Sequence, residues 1–334
     1  MFGGRLKIYH IGTTSKKYGG TIYEDMAVDA IGHKYDIEKL RYQFQWRKPF
    51  RYFEIFNLIL FYIKSAKNKP LIIRNLETCL WPSRAKTIYL VFHVDWHASG
   101  FFSKFIQIWT WVVFRYFTPK NQPVVVISKY WQDFLEKKGF TNIHLIYCAF
   151  DSQRYAVSED EVKSFLKNNQ LENKKIVYIG NPQFKKGADI VYEALKNMDV
   201  ELVCSGEGDL DIPVRRLKLD FGQYLSLLKA SSLVITLSRF KEGWNRVAHE
   251  SLLLGTPVIG SGRGGMGELL GSTGQKIIDP DNSVGLQSEV CNYLNTKPII
   301  SSEAFNYLRS FDKDRFQKEW MKLIEVTLNG VEKK

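Results

Sequence analysis

The sequence has few cysteines and no long apolar run, and each shortage excludes a class of protein. Its four cysteines, Cys79, Cys148, Cys204 and Cys291, lie far apart, and none forms a Cys-x-x-Cys pair. The spacing of a cysteine-based metal site is therefore missing. Because three of the four end or interrupt apolar runs, we expect buried, reduced thiols in a cytosolic protein. The apolar stretches are shorter than about 20 residues or interrupted by charge, which argues against a transmembrane span. The first residues also lack the apolar core of a signal peptide.

Charge is distributed unevenly along the chain. Residues 1–150 carry 22 Lys and Arg against 10 Asp and Glu, whereas residues 151–334 carry 25 of each, so the formal charge of +12 belongs to the first half. A chain of 334 residues also exceeds the usual size of one hydrophobic core, which favours two domains. The basic half is expected to meet an anionic partner: a lipid, a phosphate-bearing acceptor or nucleic acid.

Apolar runs of strand length alternate with helical stretches. The first set of predicted strands comprises residues 6–12, 70–74, 87–93, 123–128 and 143–148. The second set comprises residues 175–180, 200–205, 233–237 and 256–260. This alternation predicts two successive doubly wound α/β domains with parallel sheets, joined near residues 150–161, where polar residues interrupt the apolar pattern.

The most informative stretch carries two glutamates, Glu242 and Glu250, ahead of a glycine-rich turn. The preceding residues 233–237 are predicted to form a buried strand, Asn245 to cap the following helix, and Gly255 to end it. One carboxylate is therefore expected at the carboxyl end of a strand and the other on the next helix. Open α/β sheets bind ligands at that edge.

These residue types suit a sugar nucleotide. Carboxylates accept hydrogen bonds from ribose and hexose hydroxyls. A diphosphate is stabilised by free backbone N–H groups and the positive end of a helix dipole, both supplied by the helix that begins near Asn245. Gly262, Gly264, Gly265 and Gly267 allow the backbone to approach a ligand closely.

The stretch from Ser238 to Glu268 resembles the Glu-x7-Glu signature of the retaining glycosyltransferases of family 4, which have the GT-B fold. It matches the family's Glu-Gly-aromatic element, the later Glu, Gly-x-Pro-Val-Ile and a final Gly-Gly-x-x-Glu. Residues 176–181, followed by Lys186-Gly187, are similar to the family's first strand and Lys-Gly element, and residues 202–209 to its Gly-x-Gly turn. The C-terminal half is thus covered in register.

The resemblance implies two Rossmann-like domains that face each other across a cleft. Residues 1–155 would form the basic, acceptor-binding domain, and residues 156–312 the nucleotide-sugar-binding domain. Residues 313–334 would form a helix that returns to the first domain, in agreement with apolar residues every four positions from Phe316 to Leu328. The implied reaction transfers a sugar from a nucleotide-diphosphate sugar with retention of configuration, without a metal or other cofactor.

By the same resemblance, Glu242 holds hydroxyls of the donor sugar, Glu250 accepts from the ribose, and Lys186 stabilises the leaving diphosphate. His93 follows an apolar strand and matches a histidine that the family carries near the donor sugar, with a structural histidine as the alternative. The catalytic candidates are therefore Glu242, His93 and Lys186. The other donor-site candidates are Gly19, Gly20, Asn181, Lys185, Glu250, Gly243, Trp244, Asn245, Arg246, Val247, Arg263, Gly264 and Gly265.

Two regions leave alternatives open. The family usually has an arginine where Asn181 stands, so either the diphosphate is held more weakly or another cation, such as Arg263 or Arg246, compensates. Asp95 is either a turn residue or an acceptor-side base, and His97 is either structural or functional. Metal-ligand spacing is missing around these residues, so no bound metal is expected.

Residues 50–64 and 101–117 are rich in aromatic side chains. Trp, Tyr, Lys and Arg around an apolar stripe are typical of a helix that lies in the membrane interface, although a core helix under the first sheet is the alternative. Together with the one-sided charge, these segments favour a cytoplasmic protein bound peripherally to the anionic inner face of the cytoplasmic membrane.

The expected function is transfer of a sugar to a glycan or lipid-linked acceptor, in cell-surface polysaccharide or lipopolysaccharide synthesis. One rival, a nucleotidyltransferase, is suggested by the run His10-Ile11-Gly12-Thr13, but the second histidine of that element and a partner lysine motif are missing. The other rival, a non-catalytic nucleotide- or nucleic-acid-binding module, is poorly supported because the aromatic residues lie in apolar runs rather than alternating with basic ones. No nucleic-acid partner is expected.

Overall fold

The computed structural model describes residues 5–12, 19–42, 55–65, 67, 69–94 and 101–329. The chain divides into two compact units, one comprising Met1–Ala149 with Lys313–Lys334 and the other Phe150–Asp312. Each unit is built around its own six-stranded parallel sheet. The two sheets confirm the predicted pair of doubly wound α/β folds.

The first unit alternates strands and helices, except that a 3₁₀ turn at Leu76–Thr78 separates its third and fourth strands. The strands are β1 (Lys7–Gly12), β2 (Asp36–Arg41), β3 (Ile72–Asn75), β4 (Thr87–Val91), β5 (Val124–Val126) and β6 (Ile143–Leu145). The helices are α1 (Gly19–Gly32), α2 (Ile55–Ser65), α3 (Phe101–Phe117) and α4 (Lys129–Glu136). The strand order is β2-β1-β3-β4-β5-β6, and the central strands β3, β4 and β5 are buried throughout because helices cover both faces of a parallel sheet.

A buried polar cluster ties α1 to the first sheet. His10 on β1 and Glu24 on α1 are both buried, with 3.2 Å between the His10 Nε2 and Glu24 Oε2 atoms. Asn75, at the end of β3, donates from Nδ2 to Glu24 Oε1 at 2.6 Å and accepts from the Thr78 backbone N–H at 3.1 Å. His10, part of the run that suggested a nucleotidyltransferase, is thus packed beneath a helix, while Thr13 of that run lies outside the described residues.

Replacing Asn75 with alanine is expected to lower the free energy of unfolding by about 2.5–4 kcal/mol. The change removes the cap of the 3₁₀ turn Leu76–Thr78, worth about 1 kcal/mol, and a buried hydrogen bond to a carboxylate, worth about 1.5–3 kcal/mol. Thermal unfolding by circular dichroism measures this change. The control is Ser301→Ala in the second unit, which removes a cap hydrogen bond and an exposed hydrogen bond to Glu303 but no buried one. An equal loss in both variants would contradict a role for the bond to Glu24.

The second unit repeats the alternation. After a 3₁₀ turn at Ser152–Tyr155, its strands are β7 (Ile176–Tyr178), β8 (Glu201–Ser205), β9 (Arg215–Leu217), β10 (Leu233–Thr236), β11 (Val258–Gly260) and β12 (Lys276–Ile277). Its helices are α5 (Glu159–Asn168), α6 (Ala188–Leu195), α7 (Phe221–Ala230), α8 (Arg246–Leu253), α9 (Gly265–Ser272), α10 (Leu286–Thr296) and α11 (Ser302–Arg309).

The strand order of the second sheet places a crevice between β7 and β10. The order is β12-β11-β10-β7-β8-β9, so the chain proceeds outward from β7 in one direction and then returns to add β10 on the other side. Connections leave these two strands toward opposite faces, and in open α/β sheets the gap beyond their carboxyl ends is the usual ligand site. We therefore expect the ligand site to be formed by the segments that follow these two strands.

The last helix, α12 (Lys313–Asn329), belongs to the first unit. The Phe316 ring packs edge-on against Tyr23 of α1 at 5.3 Å between centroids, and Trp320 lies beside the same ring. Lys34 and Glu325 form an ion pair at 2.7 Å on the surface of this contact. The C-terminal helix therefore packs on α1 of the first unit, as predicted.

The sequence did not predict three of the described strands, namely Asp36–Arg41, Arg215–Leu217 and Lys276–Ile277. Each lies at an edge of its sheet, and none has a fully buried run of side chains. An edge strand is held mainly by backbone hydrogen bonds to one neighbour, so its sequence lacks the apolar run that identifies a central strand.

Candidate active site

Lys186 and Glu242 meet at the crevice between β7 and β10. They are 56 positions apart in the chain, and the Lys186 ammonium donates to Glu242 Oε1 at 2.6 Å. Ser238 Oγ donates to the same oxygen at 2.5 Å. Glu242 is buried, whereas Lys186 is about one-third exposed, so the ammonium remains within reach of a ligand. A cation and a carboxylate are thereby held together at the ligand-binding edge of the sheet.

Two glycines permit this contact. Gly187 has a φ of +71°, and a Cβ atom there would lie 2.1 Å from the backbone oxygen of Leu237 at the end of β10. Gly264 has a φ of +69°, and its Cβ would lie 2.3 Å from the backbone oxygen of Glu242. Only glycine fits such positions without displacing the backbone. The loops that carry Lys186 and Glu242 can therefore approach each other and the glycine-rich turn closely.

Helices α6, α8 and α9 begin at this same edge, because they follow the adjacent strands β7, β10 and β11. Asn245 caps α8, its side chain accepting from the Ala248 N–H at 2.8 Å, as predicted. Gly264 precedes α9, and the Gly265 N–H donates to the Glu242 carbonyl at 2.9 Å. The positive ends of these helix dipoles favour an anion beside Lys186.

The second glutamate, Glu250 on α8, is buried and accepts three hydrogen bonds. Tyr155 and Arg246 donate to Oε1 at 3.2 and 2.9 Å, and Tyr224 donates to Oε2 at 2.8 Å. Burial raises the pKa of both tyrosines, and the adjacent carboxylate raises it further, so both hydroxyls remain protonated donors. A carboxylate has about four acceptor positions. Among the described contacts three are occupied, which leaves one on Oε2 for a ligand hydroxyl.

Two aromatic residues of the stretch serve packing. His249 stacks on Phe150 at 3.7 Å between ring centroids, and its Nε2 lies 3.2 Å from the Leu308 carbonyl. Trp244 is buried, and its indole N–H donates to His249 Nδ1 at 3.3 Å. Gly243 is also buried, whereas Val247 is half-buried on the first turn of α8. The donor-site roles of Gly243, Trp244 and Val247 stay predictions.

The arginines near the site are already paired with acids. Arg263 donates to Asp279 at 2.7 Å and also to Asp281, so the cation suggested as a substitute for the missing arginine is largely neutralised. Arg239, on the Glu242 loop, forms a two-pronged pair with Asp189 at 2.7 and 2.8 Å. Partial burial by itself raises the pKa of Asp189, but the hydrogen bonds and charge of Arg239 lower it overall. Arg246 is held by Glu250.

Asn181 and Lys185 lie on the loop that follows β7. A Cβ atom at Gly206 would lie 2.4 Å from Asn181 Nδ2, so this amide packs directly on the turn after β8. The Lys185 ammonium lies over the Phe240 ring at 5.5 Å, and the Lys186 ammonium over the same ring at 4.9 Å. The aromatic face therefore holds both lysines near the crevice.

The remaining candidates belong to the first unit. His93 is half-buried and lies two positions beyond the end of β4, as expected for a residue at a strand's carboxyl end. Gly19 and Gly20 form the first turn of α1. Asp95 and His97 lie outside the described residues. The roles assigned to these positions stay predictions.

Sequence reasoning missed Tyr155 and Tyr224, the two tyrosines that hold Glu250. Tyr155 is 95 positions away from Glu250, in a 3₁₀ turn before the first strand of the second unit. Tyr224 lies on α7, where its spacing from buried leucines gives no sign of a polar contact. Neither residue belongs to a local motif, so only the folded chain reveals them.

Comparison with known proteins bears on the same unit. Residues 173–296 match the family model of group 1 glycosyl transferases. A curated relative, an uncharacterized glycosyltransferase from Methanocaldococcus jannaschii, is 22% identical over 201 residues, which are 56% of this chain and 53% of the relative. The chain therefore spans about half the length of that relative. Residues 173–296, which match the family model, contain Lys186, Glu242 and Glu250.

Solved structures resemble the whole chain. Anabaena HepE in complex with UDP-glucose superposes with a TM-score of 0.75 at 16% identity, covering 96% of this chain and all of that one. Sucrose-phosphate synthase from Thermosynechococcus elongatus gives a TM-score of 0.70 at 15% identity, covering 98% and 97%. These similarities confirm the predicted GT-B fold, and together with the matched domain they support a GT-B glycosyltransferase.

Proposed function

We propose that the protein is a retaining glycosyltransferase of the family 4 type, which moves a sugar from a nucleotide-diphosphate sugar to a glycan or lipid-linked acceptor. The contact between Lys186 and Glu242 carries the proposal. It holds a cation and a carboxylate together at one sheet edge, where three helices begin, and these groups are suited to a diphosphate and to sugar hydroxyls.

The residues of the second unit have distinct roles in this reaction. As the bond between the sugar and the diphosphate breaks, negative charge grows on the leaving diphosphate. Lys186 and the positive ends of the α8 and α9 dipoles stabilise that charge, and they do so most strongly in the transition state, where the charge is largest. Glu242 accepts hydrogen bonds from the sugar, and the remaining acceptor position of Glu250 receives a ribose hydroxyl. Lys185 adds positive charge where the family has an arginine and this chain has Asn181.

UDP-glucose is the first donor to test, because a solved structure of similar fold binds it. A thermal-shift panel of UDP, GDP, dTDP and CMP sugars is expected to raise the melting temperature with one nucleotide class. At a ligand concentration of 100 Kd the stabilisation is about 2.7 kcal/mol. The responding donor is then assayed for nucleotide release, with and without EDTA, which tests the expectation that no metal is needed.

The outcomes of the panel separate the candidate functions. A response to a nucleotide sugar with nucleotide release supports the transferase. Pyrophosphate release in a parallel assay with nucleoside triphosphates would instead identify a nucleotidyltransferase. A response to nucleotides without turnover in the presence of glycan and lipid-linked acceptors would indicate a binding module. Retention is tested by the anomeric configuration of the product in nuclear magnetic resonance spectra.

The acceptor and its location are also proposals. The first 150 residues carry all of the net positive charge, and several large apolar side chains of α3 are exposed. Within the described ranges, no helix is both long and apolar enough to cross a membrane. We therefore propose a peripheral position on the anionic inner face of the cytoplasmic membrane, where precursors of cell-surface polysaccharide or lipopolysaccharide are built.

A further inference from the structure

Helix α3 presents an apolar stripe to solvent. Phe105 is 54% exposed, Ile108 42%, Trp109 38% and Tyr116 71%, and Val112 is half-buried between them. Their spacing of three, one, three and four positions puts all of them on one side of a helix. We call this set the α3 stripe; it comprises Phe105, Ile108, Trp109, Val112 and Tyr116.

The opposite side of α3 already satisfies the core of the first unit. Val113 and Phe114 are buried, and the Phe114 ring stacks on Phe140 at 4.7 Å between centroids. The stripe is anchored rather than loose, because Trp109 donates its indole N–H to the Leu80 carbonyl at 3.0 Å. Trp81, which follows Leu80 in the sequence, is 51% exposed. Folding of this unit therefore uses one face of α3 and leaves the other for a partner.

The chain segment that contains α3 carries only basic charges. Residues 96–132 contain Lys104, Arg115, Lys120 and Lys129 but no Asp or Glu. Lys104 and Arg115 each precede a stripe residue by one position, so both lie along the same border of the stripe. An apolar stripe with a basic border matches an anionic lipid surface, into which the rings insert while the cations meet headgroup phosphates.

The dimensions and composition of α3 agree with a helix that lies in the interface. Its 17 residues span about 25 Å, which is short of the hydrocarbon thickness of a bilayer. Trp109 and Tyr116 are residue types enriched at membrane interfaces, where an apolar ring and a polar tip are both accommodated.

We propose that the α3 stripe, bordered by Lys104 and Arg115, docks the protein on an anionic lipid surface. The inference deepens the proposed function and rests on it in one respect: a membrane-borne acceptor is what makes such docking useful to a glycosyltransferase. Docking brings the first unit to the bilayer through a helix that lies in the interface. Because the stripe is exposed and not part of the core, its contribution can be removed without unfolding the unit.

Sedimentation with vesicles tests the proposal on the full-length protein. Wild-type protein is expected to bind vesicles of mixed phosphatidylglycerol and phosphatidylcholine, and to bind phosphatidylcholine vesicles at least about 10-fold more weakly. The variant Phe105→Ser with Tyr116→Ser is expected to lose at least about 10-fold in partition coefficient on the mixed vesicles. A second variant, Lys104→Gln with Arg115→Gln, is expected to lose affinity and much of its salt dependence.

A control removes two apolar side chains that are even more exposed, from the second unit, which lacks the positive charge of the first. Val284 is 91% and Ile299 92% exposed, and Val284→Ser with Ile299→Ser is expected to leave vesicle binding unchanged. Equal losses in this control and in the α3 variant would overturn the proposal. So would tight binding of wild type to phosphatidylcholine alone, or a wild-type dimer in analytical ultracentrifugation that the α3 variant lacks.

The thermal shift with the donor distinguishes a failure of the docking surface from a failure of the transferase. If wild type responds to the donor but does not bind vesicles, the docking surface is wrong and the transferase stands. If it binds vesicles through the stripe but responds to no nucleotide sugar, the transferase is wrong and the docking surface stands. An unchanged donor response in the α3 variant shows that the variant is folded.

Discussion

Replacing Glu242 with alanine is expected to lower kcat by at least about 100-fold, with a smaller change in the donor KM. The carboxylate accepts from Lys186 at 2.6 Å and from Ser238 at 2.5 Å, so its removal affects two functions at once. A hydroxyl of the donor sugar loses a charged acceptor, and Lys186 loses one of two partners at the crevice, the other being the Phe240 ring. Each such interaction is worth about 1.5–3 kcal/mol, and those that strengthen in the transition state reduce turnover rather than binding.

Steady-state kinetics with the donor identified by thermal shift measures the effect. Ser238→Ala removes one hydrogen bond to the same oxygen but leaves the carboxylate and Lys186 in place, so it is expected to lower kcat by only about 10-fold. Glu172→Ala, at an exposed position of the same unit, is the surface control. Wild-type turnover in the Glu242 variant would reject the assigned site.

Replacing Glu250 with alanine is expected to weaken donor binding by about 10- to 100-fold and also to destabilise the second unit. The buried carboxylate accepts from Tyr155, Tyr224 and Arg246, so its removal leaves two hydroxyls and a partly buried cation without their acceptor. Breaking a buried pair in this way costs about 3–5 kcal/mol. The loss of the acceptor for ribose accounts for the weaker binding.

Isothermal titration with the free nucleotide separates the two effects. Tyr155→Phe with Tyr224→Phe removes two hydrogen bonds to Glu250 but keeps the carboxylate, so this variant is expected to lose stability while its nucleotide Kd stays within about threefold of wild type. Glu250→Gln keeps the shape and an acceptor oxygen, and it is expected to recover much of the stability but less of the affinity. If the double tyrosine variant loses as much affinity as Glu250→Ala, Glu250 acts through packing alone.

The central strands and the helices between them were predictable because their patterns are local. A strand buried on both faces, such as Leu233–Thr236, needs an uninterrupted apolar run, and a helix such as α12 needs apolar residues every three or four positions. An edge strand such as Arg215–Leu217 needs no apolar run, because it pairs with a single neighbour through backbone hydrogen bonds. The sequence pattern therefore does not identify it.

The candidate site was only partly predictable for a related reason. Asn245 caps a helix through a local interaction, and its role followed from its position before an apolar pattern. The engagement of Arg263 by Asp279 and Asp281 depends on the turn after β12, and the sequence offered Arg263 as a free cation instead. The path of the backbone determines which charged residues of different loops pair, and a local sequence motif does not contain that information.

The amino-acid sequence by itself determined the two doubly wound sheets, the asymmetry of charge and the candidate pair Glu242 and Glu250, because periodicity, composition and motif are properties of neighbouring residues. Only the tertiary structure decided that Lys186 meets Glu242 across 56 positions and that tyrosines 155 and 224 hold Glu250. It also decided which face of α3 is left exposed. The physical reason is the strand order: parallel strands bring distant loops to one edge, and the glycines at 187 and 264 let those loops touch.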